Sequence, residues 1–206
     1  MKKEKFMKIA NNLDVVFKIL QIILSLCLIL LCACFVIIIG GYMISPELTL
    51  KAMKSTAFEV IISDLSIGLL TDGLDTDKIL IYNLISYMYV AVSVVFLYIG
   101  VKYIRKILSP IKEGLPFQEN MAKTIKKFAM FVLIFGVLDN ICSFILDYFV
   151  IHGFDIIHLL KSEQISSISI SYSLNFDFII VYFVIMLLSY VFQYGMELQK
   201  LSDETL

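Results

Sequence analysis

The stretch VVFKILQIILSLCLILLCACFVIIIGGYMI at residues 15–44 decides the fold, because only a lipid solvent suits so long an apolar run. An α-helix needs about 20 predominantly apolar residues to cross roughly 30 Å of hydrocarbon, and this run is longer than that. A basic start followed by apolar residues also opens a secretory signal peptide, whose apolar core is roughly 7–15 residues long and ends at a small-residue cleavage site. Here the apolar residues continue well past Leu31-Cys32-Ala33-Cys34, so a retained span is expected.

Three further runs lie downstream at 79–104, 128–151 and 178–197, separated by charged or polar stretches. Composition agrees with four spans: 60% of the residues are hydrophobic and 17% charged, where a soluble domain carries about 25% charged residues. The expected fold is an all-α membrane protein: residues 1–206 form a single membrane domain, a four-transmembrane-helix bundle. Its extracytoplasmic parts, 45–78 and 152–177, are small caps, and residues 105–127 form a cytoplasmic elbow.

The distribution of charge orients the chain, because Lys and Arg near span ends mark the cytoplasmic side. Lys2, Lys3, Lys5, Lys8 and Lys18 lead into the first span; Lys102, Arg105, Lys106, Lys112, Lys123, Lys126 and Lys127 crowd the connection between the second and third; Lys200 follows the fourth. The other two connections hold Lys51, Lys54, Lys78 and Lys161 among acids such as Asp64, Asp72, Asp75, Asp77, Asp155 and Glu163. Both termini are therefore expected in the cytoplasm. A net charge of −1 argues against direct nucleic-acid binding. Heavy use of Lys over Arg, together with abundant Ile, suggests an AT-rich bacterial genome and hence the bacterial cytoplasmic membrane.

Cofactor and redox chemistry find no support. Cys27, Cys32, Cys34 and Cys142 all lie inside expected spans, where they read as small polarizable packing residues. His152 and His158 lie outside the spans and do not pair as a metal site. The spans contain no His, no paired Glu motif and no Gly-x-Ser-x-Gly elbow, so an enzyme is not expected.

In the first extracytoplasmic part, Leu50, Met53, Ala57, Val60, Ile61 and Leu65 recur at near-helical spacing and predict a helix around 48–66; Asp72-Gly73 then reads as a turn. In the second, Ile168, Ile170, Tyr172 and Leu174 alternate with serines in a strand-like pattern.

Polar residues inside the spans fall on helical stripes: Tyr82, Ser86, Tyr89 and Ser93 in the second, Asp139, Ser143 and Asp147 in the third, Tyr182, Ser189, Gln193 and Glu197 in the fourth. Residues at these spacings share a helix face. Asp139 is the sharpest, since it lies near the bilayer midplane, where an Asp costs about 2.5–3.5 kcal/mol on insertion scales. With no Lys or Arg at that depth, a hydrogen-bonded carboxyl is expected. Tyr89 and Ser93 are the candidate partners, and Asn140 adjoins. As function this is an ion relay or ligand contact; as packing it is interhelical glue worth about 1 kcal/mol. The packing reading is preferred, because no second midplane carboxylate exists.

The elbow carries the most distinctive motif, Ile107-Leu108-Ser109-Pro110-Ile111-Lys112-Glu113-Gly114-Leu115-Pro116-Phe117-Gln118-Glu119-Asn120. Gly114 can supply the left-handed residue that ends a helix, and Pro116 prevents its immediate resumption. From Met121, the residues Ala122, Ile125 and Phe128 can face inward, leaving Lys123, Lys126 and Lys127 for headgroups or a partner.

The elbow residues Ile111, Gly114, Pro116, Phe117 and Asn120 combine with a final span ending Val191-Phe192-Gln193-Tyr194-Gly195-Met196-Glu197-Leu198 and a tail Ser202-Asp203-Glu204-Thr205-Leu206. Together they resemble the uncharacterised bacterial membrane family called domain of unknown function 2975, also described as YoaS-like. The likeness runs from the first span to the C-terminus. It departs from the family pattern after Asn120, where Thr124 to Ala129 replace a Leu-Arg pair and a Gly. The resemblance implies a four-span protein encoded beside a small Cro/CI-type helix-turn-helix regulator. The expected function is a regulatory or sensory partner that binds such a regulator at the cytoplasmic face through Gly114, Pro116, Phe117, Asn120, Glu197, Asp203 and Glu204. The alternative is a small transport, ion-coupled or peptide-immunity membrane protein using the polar interior around Asp139, Asn140, Tyr89 and Ser93.

Overall fold

The computed structural model describes residues 2–49, 58–62, 65–69, 76–114, 118–155 and 174–204. Its elements in chain order are α1 (Lys2–Ile44), β1 (Phe58–Ile62), β2 (Leu65–Leu69), α2 (Thr76–Lys112), α3 (Glu119–Gly153) and α4 (Asp177–Glu204). All four helices are long and apolar enough to cross a membrane, which is consistent with a helical bundle and makes the chain a multi-pass helical membrane protein. Each helix outruns its apolar run at the lysine-rich end, because long Lys side chains can keep their charge in water while the backbone stays helical. Pro110 sits inside α2. It cannot donate to the carbonyl of Lys106, and the helix nevertheless continues for two more residues. Both helices reach into the stretch 105–127: α2 ends at Lys112 and α3 begins at Glu119.

The helix expected around 48–66 is not what forms. Residues 46–49 are helical, but β1 and β2 pair as an antiparallel two-stranded sheet, with Phe58 opposite Leu69, Val60 opposite Ile67 and Ile62 opposite Leu65. The physical reason lies in residue type. Phe58, Val60, Ile61, Ile62 and Ile67 are β-branched or aromatic and favour a pleated surface. The helix expected over 48–66 is thus replaced by strand at 58–62 and 65–69, while the four long elements are helical as expected. The Asp72-Gly73 turn and most of the alternating 167–174 segment fall outside the described residues.

The chain divides into two compact units, Met1–Leu28 with Ser93–Leu138 and Asn175–Leu206, and Ile29–Val92 with Asp139–Leu174. In the first, α1 buries or half-buries Met7, Ala10, Asp14, Phe17, Gln21, Leu24 and Leu28. These alternate steps of three and four residues, a 3.5-residue repeat that keeps one seam against a neighbour. Val15, Val16, Ile19, Leu20, Ile22 and Ile23, between the seam positions, are exposed, as suits side chains solvated by lipid. Between α2 and α3, Phe96 stacks on Phe131 and Phe135 at ring-centroid distances of 5.3 and 4.9 Å, and Tyr103 packs on Phe128 and Phe131 at 6.0 and 5.5 Å. Between α3 and α4 the Phe178 side chain packs directly on Gly136. A Cβ on Gly136 would lie 2.1 Å from the Phe178 side chain, so only glycine fits there. Nearer the elbow, the Ser189 hydroxyl donates to the carbonyl of Ala122 at 2.9 Å.

The densest packing of this unit surrounds the start of α3, where Met121, Ala122, Thr124, Ile125 and Ala129 are buried together with Ala10, Val101 and Ser189. Ala122 and Ile125 face inward as expected, Phe128 is half-buried, and Lys123, Lys126 and Lys127 are exposed. Among the described residues of the second unit, Ile79, Val150, Ile151 and Phe154 are buried. There Tyr82 meets the Phe154 ring edge-on at 6.0 Å. Asp155 follows α3 with φ 50°, a left-handed conformation that Asp tolerates better than most residues.

Candidate functional site

Two features of the first unit and one of the second gather the polar side chains. The first is a charge cluster joining α1 to α2. Asp14 and Gln21 lie two turns apart on α1, and Arg105 and Lys112 lie two turns apart on α2. Arg105 donates through Nε to Asp14 Oδ1 at 2.9 Å and through a terminal nitrogen to Gln21 Oε1 at 2.6 Å, and Lys112 Nζ reaches Asp14 Oδ2 at 2.6 Å. Both carboxylate oxygens of Asp14 are thereby engaged, and its side chain is only 13% exposed. Charge-assisted bonds of this length are the stronger kind. Their order along the two helices requires that α1 and α2 run antiparallel. The cluster is not legible in the sequence, where Arg105 and Lys112 mark only the cytoplasmic side. The available signal was that Arg105 is the sole arginine of the chain; its forked donors suit two acceptors at once.

The second feature is a cleft of about 200 Å³ where α2 ends and α3 begins, lined by Lys106, Ser109, Glu113, Gln118, Asn120 and Thr124, with Pro110 and Met121 at its wall. The chain turns here through Gly114, which has φ 75° and donates its N–H to the carbonyl of Ile111 at 3.1 Å. Gly114 thus adopts the left-handed conformation the sequence required of it. Asn120 lines the cleft, and its carbonyl accepts the Thr124 hydroxyl at 2.7 Å. Pro116 and Phe117 fall outside the described residues. Glu197 is exposed on α4 and accepts from Gln193 Nε2 at 3.4 Å; Glu204 is exposed at the end of that helix. Asp203 belongs to the same helix, and its side chain is outside the described residues. Among the described residues, neither glutamate lines the cleft.

The third feature lies in the second unit, where the Tyr89 hydroxyl donates to Asp139 Oδ1 at 2.7 Å. Asp139 therefore has a neutral hydrogen-bond donor across the helix interface, the kind of partner expected for it. Asn140 is half-buried beside it. Ser93, also half-buried, belongs to the other unit. Among the described residues no group of three or more His, Cys, Asp or Glu could hold a metal ion, and Cys27, Cys32, Cys34 and Cys142 are free thiols. Set against known proteins, the chain matches no family model, no curated protein and no solved structure.

Proposed function

We propose that the protein is a non-enzymatic regulatory or sensory component of the bacterial cytoplasmic membrane, with both termini in the cytoplasm, that holds a small Cro/CI-type helix-turn-helix regulator at its cytoplasmic base. Membership of the uncharacterised family named above is proposed with it, on the elbow and final-segment residues. The observation that supports the reading most is the lysine-rich end itself. There a polar cleft stands on a well-packed base, with Met121 2% and Thr124 8% exposed in its wall, and α1 is pinned to α2 by Asp14 and Arg105. A fixed surface binds a partner at lower ordering cost than a mobile one.

The test is affinity capture of the tagged, detergent-solubilised protein from its native host, with mass spectrometry of what co-purifies. A small helix-turn-helix protein should be recovered, and should be lost when Phe117 is replaced by Ala or residues 202–206 are deleted. Recovery of the chain alone, or with transporter subunits, would overturn the reading. The transport alternative needs Asp139 open to a permeating species. The 2.7 Å bond from Tyr89 occupies one of its oxygens and favours a tether between helices.

A further inference from the structure

We propose that the cleft between α2 and α3 seats the phosphodiester headgroup of an anionic membrane phospholipid, with Lys106 on the phosphate. The argument begins with how α2 divides its cations. Arg105 and Lys112 turn to α1 and are consumed by Asp14. Lys102 and Lys106, one turn apart on a neighbouring face, are exposed and have no ion-pair partner among the described residues. That face continues through Ser109 to Glu113, and Lys106, Ser109 and Glu113 all line the cleft. On the opposite wall Asn120 lines the cleft. Lys127 shares its helix face two turns on, is exposed, and also lacks an ion-pair partner among the described residues.

The level of these lysines points to lipid. Lys102 and Lys106 bracket Ile104, where the apolar run of α2 ends, and Lys127 directly precedes Phe128, where that of α3 begins. Three ammonium groups with no ion-pair partner among the described residues therefore stand at the edge of the hydrocarbon, the depth of lipid phosphates, and basic pockets between membrane helices at this level bind anionic headgroups. The remaining lining fits the rest of such a headgroup. Ser109, Gln118 and Asn120 can exchange hydrogen bonds with glycerol hydroxyls. The Glu113 carboxylate, seven residues beyond Lys106 and just past the end of α2, can accept from those hydroxyls and repel a second phosphate. A cleft of about 200 Å³ is below the roughly 300–1,000 Å³ of pockets for drug-sized ligands, and suits a headgroup whose acyl chains stay in the bilayer.

This inference does not rest on the regulator reading, because it is tested with the purified chain alone. Delipidated full-length protein is titrated with phosphatidylglycerol or phosphatidylcholine and the retained lipid is counted by native mass spectrometry. Phosphatidylglycerol should be retained in preference. Lys106→Gln and Lys127→Gln should each lower its retention about fivefold, and Lys200→Gln, on exposed α4, should leave it unchanged. Lys102→Gln provides a second reading should either variant elute as aggregate. Equal retention of the two lipids, or retention unchanged in the Lys106→Gln and Lys102→Gln variants, would overturn the proposal. Displacement of bound phosphatidylglycerol by millimolar inorganic phosphate would overturn the lipid assignment in favour of a free-anion site.

Discussion

At the scale of single residues, Asp14 and Asp139 show how differently a membrane protein settles a carboxylate. Asp14, at the edge of the apolar run, engages two cations and has both oxygens bonded. Asp139, deep in α3, accepts from the Tyr89 hydroxyl. A double-mutant cycle of Asp14→Asn with Arg105→Gln, read by thermal unfolding in detergent, should return a coupling of about 1–2 kcal/mol; additive effects would show that the bonds contribute nothing. Tyr89→Phe should cost about 0.6–1.7 kcal/mol, the range for interhelical hydrogen bonds in membranes. Asp139→Asn, which keeps an acceptor for Tyr89, should cost less than Tyr89→Phe. An Asp139→Asn chain that inserts normally yet changes ion flux or peptide resistance would make this residue functional instead of a tether. The carboxyl at 139 and its tyrosine partner were legible in the sequence, because a costly midplane Asp restricts the choice of partner. The pairing at Asp14 was not, since lysines at a span end look the same whether they meet lipid, water or a carboxylate.

At the scale of elements, helix contacts depend on the size of a few side chains. Gly136 is the clearest case: a methyl group there would collide with Phe178, so Gly136→Ala should destabilise the α3–α4 contact by about 1–3 kcal/mol. Phe178→Ala in the same chain should restore part of that loss, and absence of any rescue would place the strain elsewhere. In the sequence Gly136 is one of several span glycines, and which of them meets a neighbour depends on helix rotation. The 3.5-residue seam of α1 was hidden for a related reason. Leu24 faces a neighbour and Ile23 is exposed, but both are apolar, so hydropathy does not distinguish a packed face from a lipid-facing one. Spacing alone does not separate the hairpin of β1 and β2 from a helix, because Val60, Ile61 and Leu65 satisfy a helical spacing as readily as Phe58, Val60 and Ile62 satisfy alternation.

At the scale of the whole molecule, orientation is the open prediction with the sharpest test. Reporter fusions at Leu206 and within 105–127 should report the cytoplasm, and a fusion at Gly73 the opposite side, as the lysine distribution requires. A cytoplasmic signal from Gly73 would invert the arrangement and move the proposed docking surface off the cytoplasmic face. The sequence by itself determined that this chain lives in lipid and that four helices are long enough to cross it, because apolar length is a property each segment carries alone. It also determined the left-handed turn at Gly114, a local demand of a helix end. Only the tertiary structure decided which cations are consumed, with Arg105 and Lys112 on Asp14 and Lys102, Lys106 and Lys127 left exposed. It also decided which glycine is indispensable and where a cleft opens. The physical reason is that pairing and close contact depend on how each helix is rotated against its neighbour, and an apolar sequence in an apolar solvent carries little record of that rotation.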